Sequence, residues 1–196
     1  FENELELAKC AAGEIASLLR EKPEAVLGLA TGSTPVPLYQ VLAREYREGN
    51  ISFSRVKTYN LDEYYPLAPT HDQSYRYFMN TNLFDNVDID KANTNVPDGL
   101  AEDVAAMCCN YEAQIEKWGG VDLQLLGIGP NGHIGFNEPG EEFVPGTHCV
   151  DLTETTIAAN ARFFESVDMV PKQAYSMGVG NIMQSRRIVM VATGKN

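Results

Sequence analysis

The feature that most constrains the fold is an alternation between short apolar runs and longer amphipathic stretches. The apolar runs have the length of β-strands and cover residues 25–30, 56–61, 121–128 and 187–193. Between them, apolar residues recur at steps of three and four, which is typical of amphipathic helices. Strands that are apolar throughout are buried on both faces, as in parallel sheets whose crossover connections are helices. We therefore predict one doubly wound α/β domain over residues 1–196, with a mostly parallel sheet and helices on both faces.

The sequence stops directly after the last apolar run, at Asn196. In a doubly wound fold, each strand is expected to be followed by a helix that covers one face of the sheet. We therefore expect the domain to need a further C-terminal segment, and the 196 residues to lack it.

Composition excludes several classes of protein. The formal net charge of −12 argues against nucleic acids and anionic membrane surfaces as partners. Hydrophobic residues make up 44% of the chain, too many for intrinsic disorder, yet no run is long enough to span a membrane. The four cysteines form no C-x-x-C pair. We therefore expect reduced thiols and a cytoplasmic protein without a secretory signal.

Ligands of doubly wound sheets bind beyond the carboxyl ends of the strands, so we expect functional side chains in the loops that follow the predicted strands. The first loop contains Thr31, Gly32, Ser33 and Thr34, followed by Pro35. Its backbone N–H groups and hydroxyls can surround an anion at the start of a helix, with Thr34 as N-cap and Pro35 in the first helical position. This pattern predicts a phosphate site; the alternative is an ordinary turn between strand and helix.

The second loop contains two adjacent carboxylates, Asp62 and Glu63, followed by Tyr64 and Tyr65. Aromatic neighbours can shield a carboxylate from water, which raises its affinity for a proton. A carboxylate of this kind can act as a general base near neutral pH. The alternative is an acidic turn at the protein surface.

The third loop follows the apolar run 121–128 and is rich in glycine. Residues 127–132 match the pattern G-x-G-x-x-G, which is typical of dinucleotide sites. That interpretation requires a helix directly after the pattern, and Gly135, Pro139 and Gly140 exclude one. We therefore do not predict a dinucleotide cofactor.

The same loop carries His133 and Glu138, two side chains suited to proton transfer. An imidazole titrates near neutral pH, and a carboxylate partner fixes its tautomer. We favour an acid/base role for the pair. The alternatives are a structural histidine in a turn and a metal site, for which the sequence offers no convincing third ligand.

An arginine further along the chain, Arg162, lies between apolar residues in a predicted helical turn. A guanidinium held by apolar neighbours can bind a phosphate group in bidentate fashion. Taken alone, an arginine in this setting is more often the partner of a surface ion pair.

Four stretches resemble motifs of the glucosamine-6-phosphate deaminase family and occur in the family's order. They are L-G-L-A-T-G-S-T-P at 27–35, N-L-D-E-Y at 60–64, G-I-G-P-N-G-H-I-G-F-N-E-P at 127–139 and A-N-A-R-F-F at 159–164. The resemblance runs essentially from end to end, and the third motif is the most specific. It implies a Rossmann-like, cytoplasmic enzyme of amino-sugar catabolism that converts glucosamine 6-phosphate and water to fructose 6-phosphate and ammonia. It also implies a hydrolase acting on a carbon–nitrogen bond, with neither a metal nor an organic cofactor.

The resemblance implies roles for four residues of the catalytic centre. Asp62 matches the general base that moves a proton between carbon 2 and carbon 1 of the sugar. His133 matches the residue that opens the pyranose ring, and Glu138 matches its carboxylate partner. Asn131 falls where some members carry an aspartate that also orients the histidine.

The resemblance also implies how the substrate is held. Gly32, Ser33, Thr34 and Arg162 match the family's site for the substrate phosphate. A phosphate-binding lysine of the family would fall just past Asn196. The predicted partner is therefore a small sugar phosphate, while the oligomeric state stays open because the family includes monomers and hexamers.

Two alternative functions remain. A 6-phosphogluconolactonase-like hydrolase would share the fold and a similar glycine–histidine loop. A non-catalytic sugar-phosphate sensor would keep the phosphate loop without needing Asp62, His133 and Glu138.

Overall fold

The computed structural model describes residues 1–129 and 131–194. Its strands are β1 (Val26–Leu29), β2 (Lys57–Asn60), β3 (Asp62–Tyr65), β4 (Thr94–Asn95), β5 (Leu123–Leu126), β6 (His148–Asp151), β7 (Gln173–Ser176) and β8 (Ile188–Met190). Its α-helices are α1 (Glu4–Glu21), α2 (Val36–Arg47), α3 (Tyr75–Asn82), α4 (Val104–Lys117), α5 (Glu154–Asn160) and α6 (Val179–Met183). In the part of the chain that is described, no helix has the length and apolar character needed to cross a membrane.

A parallel sheet of five strands forms the centre of the molecule, in the spatial order β4-β2-β1-β5-β8. Four of its strands, β1, β2, β5 and β8, correspond to the apolar runs of the sequence, whereas the two-residue strand β4 was not predicted. Strands β1 and β5 are buried along their whole length. The sheet grows from β1 to β2 and β4 on one side, and to β5 and β8 on the other. This reversal is the doubly wound arrangement, so the predicted α/β, Rossmann-like fold is confirmed.

The helices that flank the sheet form where the apolar spacing predicted them. In α1, the side chain of Asn3 caps the helix by accepting from the backbone N–H of Glu6 at 3.0 Å, and the buried face includes Ile15 and Leu19. In α4, the side chain of Asp103 plays the same part at the N-terminus. These local signals are sufficient for α1 because it buries one continuous apolar stripe.

The structure contains a second sheet that the sequence did not predict. Strands β3, β7 and β6 form a three-stranded antiparallel sheet in that order. The segment Asp62–Tyr65 was expected to be a loop, but it is strand β3 and pairs with Gln173–Ser176. Its partner lies more than a hundred residues further along the chain, so no local pattern could indicate the pairing.

The start of α2 also differs from the prediction. The residue that caps α2 is Pro35 rather than Thr34, and no side chain provides a capping hydrogen bond there. Pro35 already has helical backbone angles, and its carbonyl accepts from Tyr39 N at 3.0 Å. A second proline, Pro37, occupies one of the first two helical positions, where its missing N–H removes no helical hydrogen bond.

Candidate active site

The three loops predicted to carry chemistry meet at the carboxyl edge of the parallel sheet. Strand β1 leads into residues 30–35, β2 leads into Asp62, and β5 leads into residues 127–140. Because the strand order reverses between β1 and β5, a crevice is expected at this edge, outside the ends of those two strands. The site therefore lies where the topology of a doubly wound sheet favours a ligand.

Asp62 is a buried carboxylate without a counterion. Its side-chain Oδ1 has no hydrogen-bond partner among residues 1–129 and 131–194, and no Lys, Arg or His nitrogen of these residues lies within 4.0 Å. Burial, and secondarily the negative charge of Glu63, raise the pKa of Asp62 to about 8. The alternative interpretation of an acidic surface turn is wrong, because Asp62 is only 7% exposed.

The neighbouring Glu63 is also buried, but its carboxylate is fully hydrogen-bonded. Its carboxylate accepts from the backbone N–H groups of Tyr64, Tyr75 and Arg76, each at 2.9 Å. Two of these donors belong to the first turn of α3, whose orphan N–H groups the carboxylate satisfies. Burial raises the pKa of Glu63 to about 7, against the opposing effect of those hydrogen bonds. Glu63 therefore anchors α3, while Asp62 is left free for chemistry.

Aromatic rings shield this region from water, as the sequence indicated. The ring of Tyr64 lies 5.0 Å from that of Tyr75, 5.7 Å from that of Phe136 and 5.7 Å from that of Phe164, measured between centroids. Phe136 belongs to the glycine-rich loop, and Phe164 follows the turn that carries Arg162. The cluster therefore packs strand β3 against the glycine-rich loop and against the segment that carries Arg162.

Close backbone approaches fold the glycine-rich loop onto Asp62. A Cβ atom added to Gly135 would lie 2.9 Å from Ser176 Oγ and 3.6 Å from Asp62 Oδ2, and Gly135 has a positive φ of 60°. Phe136 N and Asn137 Nδ2 each donate to Ser176 Oγ at 3.1 Å. The loop that carries His133 is thus fixed directly beside the carboxylate of Asp62.

A hydrogen-bonded row joins Glu138, Asn131 and His133. Asn131 Nδ2 donates to Glu138 Oε2 at 2.5 Å, and Asn131 Oδ1 lies 2.6 Å from His133 Nδ1. A carboxylate only accepts hydrogen bonds, so the amide N–H must face Glu138 and the amide oxygen must face the imidazole. His133 Nδ1 therefore carries a proton, which leaves Nε2 to exchange a proton with a substrate.

The direct contact predicted between His133 and Glu138 does not form. In the described part of the chain, neither a hydrogen bond nor an ion pair within 4.0 Å joins them, and Asn131 lies between the two. Since residues 131 and 133 bracket a glycine with φ of 91°, the asparagine side chain can turn back onto both the N–H and the imidazole of His133. Asn131 is therefore the residue that orients the histidine, and Glu138 orients Asn131.

The predicted phosphate loop has backbone donors that are not used within the described residues. Thr31 and Thr34 are half-buried, Gly32 and Ser33 are exposed, and Gly32 has a positive φ of 103°. Within the described residues, none of their four backbone N–H groups has a backbone acceptor. This geometry suits an anion, although helix capping by Thr34 is not part of it.

Arg162 is exposed in the 3₁₀ turn Ala161–Phe163 that continues α5. Its guanidinium carbon lies 4.7 Å from the centroid of the Phe163 ring, so the apolar support predicted from the sequence is present. No ion pair of Arg162 forms with the residues that the structure describes. Nor do its contacts join it to residues 31–34.

One residue of the site was missed by the sequence analysis. Thr156, in the first turn of α5, donates its hydroxyl hydrogen to Glu138 Oε1 at 2.9 Å. A threonine in the first turn of a helix is common, and nothing in its sequence context indicates this contact. Over residues 1–129 and 131–194, no group of three or more His, Cys, Asp or Glu could hold a metal ion.

Known proteins match the chain along nearly its whole length. The family model described as glucosamine-6-phosphate isomerases/6-phosphogluconolactonase matches residues 3–196. Among curated relatives, a glucosamine-6-phosphate deaminase of Clostridium perfringens is 58% identical over 97% of this chain and 78% of its own length. A glucosamine-6-phosphate deaminase of Halothermothrix orenii is 56% identical over 100% of this chain and 81% of its own length.

Solved structures agree in fold. A structure described as a monomeric glucosamine-6-phosphate deaminase superposes with a TM-score of 0.93 at 46% identity, over 97% of this chain and 79% of that one. A 6-phosphogluconolactonase of Thermotoga maritima superposes with a TM-score of 0.74 at 24% identity, over 96% and 80%, and supports the fold alone. The chain therefore belongs to the family of glucosamine-6-phosphate isomerases and 6-phosphogluconolactonases.

Proposed function

We propose that the protein is a glucosamine-6-phosphate deaminase, which isomerises an aldose to a ketose and releases ammonia. The observation that supports the proposal is a buried, unpaired carboxylate, Asp62, beside which lies Gly135 of the same loop that carries His133, an imidazole with a defined tautomer. Relatives that are 52–58% identical bear this name, which supports the same assignment. The predicted ligand is glucosamine 6-phosphate.

The phosphate group anchors the substrate in the crevice. The backbone N–H groups of residues 31–34 and the guanidinium of Arg162 are its proposed ligands. Anchoring makes the later proton transfers unimolecular, which replaces a costly encounter by a fixed geometry. His133 then assists ring opening, with Nε2 exchanging a proton with the ring oxygen.

Asp62 carries the isomerisation in the open-chain form. Its carboxylate takes the proton from carbon 2 and returns it to carbon 1, so the carboxylate is unchanged after both steps. A second proton passes from the amino nitrogen to the oxygen on carbon 1, so the product is an imine at carbon 2 with a hydroxyl group at carbon 1. Water adds to carbon 2 and ammonia leaves, which gives fructose 6-phosphate. Carbon–nitrogen cleavage by water thus follows an isomerisation, so the reaction is an isomerising deamination rather than a simple hydrolysis.

Two rival functions make less use of these residues. A lactonase hydrolyses an ester bond and needs no base that moves a proton between carbons. A sensor would need neither an unpaired buried carboxylate nor an oriented imidazole, both of which cost stability or conformational freedom. Deamination is the one reaction of the three that uses Asp62 and His133 together.

The deciding experiment supplies glucosamine 6-phosphate with deuterium at carbon 2. We expect ammonia and fructose 6-phosphate in equal amounts, with a primary isotope effect on the rate or deuterium at carbon 1 of the product. Hydrolysis of 6-phosphogluconolactone without ammonia release would favour the lactonase, and binding without turnover would favour the sensor. Ammonia release with neither isotope signature would reject Asp62 as the isomerising base.

A further inference from the structure

A run of hydrogen bonds extends the His133 network into α5. Thr156 Oγ1 donates to Glu138 Oε1 at 2.9 Å, and Thr153 Oγ1 lies 3.0 Å from Thr156 Oγ1. We infer that Thr156 is a positioning residue for ring opening, which acts through Glu138 on the tautomer and orientation of His133. The inference rests on the proposed function and assigns it a further residue.

The direction of each hydrogen bond follows from the chemistry of the groups. A threonine hydroxyl has one hydrogen, and at Thr156 that hydrogen must point to the carboxylate of Glu138, which can only accept. Thr153 must therefore donate to Thr156, while its own oxygen accepts from Thr156 N at 3.2 Å as the N-cap of α5. The two carboxylate oxygens of Glu138 thus have separate partners, Asn131 at Oε2 and Thr156 at Oε1.

Hydrogen bonds to both carboxylate oxygens of Glu138 are important because the terminal torsions of Glu138 and Asn131 rotate easily. The last torsion of Glu and that of Asn have broad, roughly two-fold preferences, so either planar group can turn over at small cost. If the amide of Asn131 turned over, its NH₂ would face His133 Nδ1 and would force the proton onto Nε2. That tautomer has no free acceptor for a substrate proton. By fixing Glu138, Thr156 favours the amide orientation that keeps Nε2 available.

The same helical segment also carries the predicted phosphate ligand. Helix α5 continues directly into the turn Ala161–Phe163, which contains Arg162. Six residues separate Thr156 from Arg162, which is about 9 Å along a helix axis. One short element would therefore contact both the substrate phosphate, through Arg162, and Glu138, through Thr156. A bound phosphate that fixes this element would also fix the hydrogen bonds that orient His133.

The first test removes only the hydroxyl, with Thr156→Val. Thr156→Val removes a hydrogen bond to a charged group, so we expect kcat for cyclic glucosamine 6-phosphate to fall about tenfold with KM within about twofold. Thr156→Ser keeps the hydroxyl and should restore kcat to within about twofold of the unchanged enzyme. The matched control is Thr155→Val, because Thr155 is exposed and its side chain donates no hydrogen bond to the described residues.

The second test needs no turnover. The chain has three histidines, so nitrogen NMR of the imidazoles resolves His133, which is identified by its loss in His133→Gln. We expect the Nδ1–H tautomer in the unchanged protein and a mixture of tautomers in Thr156→Val. An unchanged tautomer and kcat in Thr156→Val would overturn the inference, as would equal losses in Thr155→Val. Failure of the proposed function is distinguishable, since it would abolish ammonia release in the unchanged protein and leave the tautomer readout intact.

Discussion

Two buried aspartates lie at opposite edges of the parallel sheet in opposite surroundings. Asp122 comes just before β5 and accepts from Lys22 Nζ at 2.9 Å, Arg186 Nη1 at 3.1 Å and Val26 N at 2.8 Å. Asp62 comes just after β2 and has no such partner among the described residues. Burial pushes the pKa of Asp122 upward, but its hydrogen bonds and the two cations outweigh burial and leave the pKa below its usual value. At Asp62 the effect of burial prevails and the pKa is raised.

The comparison separates a carboxylate that stabilises the fold from one that the fold keeps reactive. A fully partnered carboxylate favours the folded state when it is ionised, because its charge interacts better there than in the unfolded chain. An unpartnered buried carboxylate does the opposite and holds its proton more tightly in the folded state. At the amino edge the first arrangement joins β5 to β1, and at the carboxyl edge the second gives the carboxylate that we propose as the base.

The largest effect is expected from Asp62→Asn. General-base catalysis contributes about 10²–10⁴-fold, so kcat for ammonia release should fall by at least about a hundredfold. Binding of the sugar phosphate should stay within about threefold, because the amide keeps the size of the carboxylate. The assay measures ammonia and, separately, equilibrium binding. Retention of more than about a tenth of the rate would show that Asp62 is not the base.

A smaller effect, of a different kind, is expected from Asp122→Ala. The change leaves Val26 N without its acceptor and removes an ion pair with two cations, so we expect the free energy of unfolding to fall by about 3 kcal/mol. Because Asp122 is remote from the crevice, kcat at 25 °C should stay within about twofold. Urea unfolding and the ammonia assay together check this. A large fall in kcat with unchanged stability would contradict the prediction, because it would give Asp122 a role in activity and not in stability.

The third effect is a pH-dependent gain of stability in Asp62→Asn. The pKa of Asp62 rises from 3.8 in the unfolded chain to about 8 in the folded one. The folded state therefore binds the proton more tightly, and the unchanged protein loses stability as pH rises from about 4 to about 8. Asparagine does not titrate, so Asp62→Asn should match the stability of the unchanged protein near pH 4 and should become more stable than it as pH rises to 8. Unfolding curves at both pH values test this, and a difference independent of pH would contradict it.

The central sheet and its helices were predictable because their signals are local. Each element was indicated by fewer than about twenty consecutive residues. Examples are the apolar run that became β1, the apolar residues spaced three and four apart that became α4, and the glycines that end α4. Strand β3 was not predictable in this way. Its pairing with β7 depends on a segment more than a hundred residues away, and Asp62 and Glu63 are poor strand formers whose burial outweighs their propensity.

The residues of the proposed site could be named from the sequence, but the hydrogen bonds between them could not. Residue type and position after a strand indicated Asp62, His133 and Glu138, and the resemblance to the deaminase family added Asn131. They did not indicate that Asn131 stands between the other two loop residues, since the order of a hydrogen-bonded row depends on how a loop closes. The division of labour between Asp62 and Glu63 also depended on tertiary structure, because only the position of α3 decides which carboxylate is partnered.

The smallest effect is expected from Lys22→Met, which tests whether charge is what holds Asp122. The Lys22 side chain is 40% exposed, so solvent screens the pair and a loss of about 0.5–1 kcal/mol at pH 7 is expected. Because the folded-state pKa of Asp122 is lowered, the stabilisation is present above its unfolded pKa and is lost as pH falls through the folded value. The deficit of Lys22→Met should therefore shrink as pH falls below the unfolded-state pKa, and should vanish once the carboxyl is protonated in both states. A deficit that does not change as pH falls would mean that the aliphatic stem of Lys22 contributes through packing, and that Arg186 is the cation that pairs with Asp122.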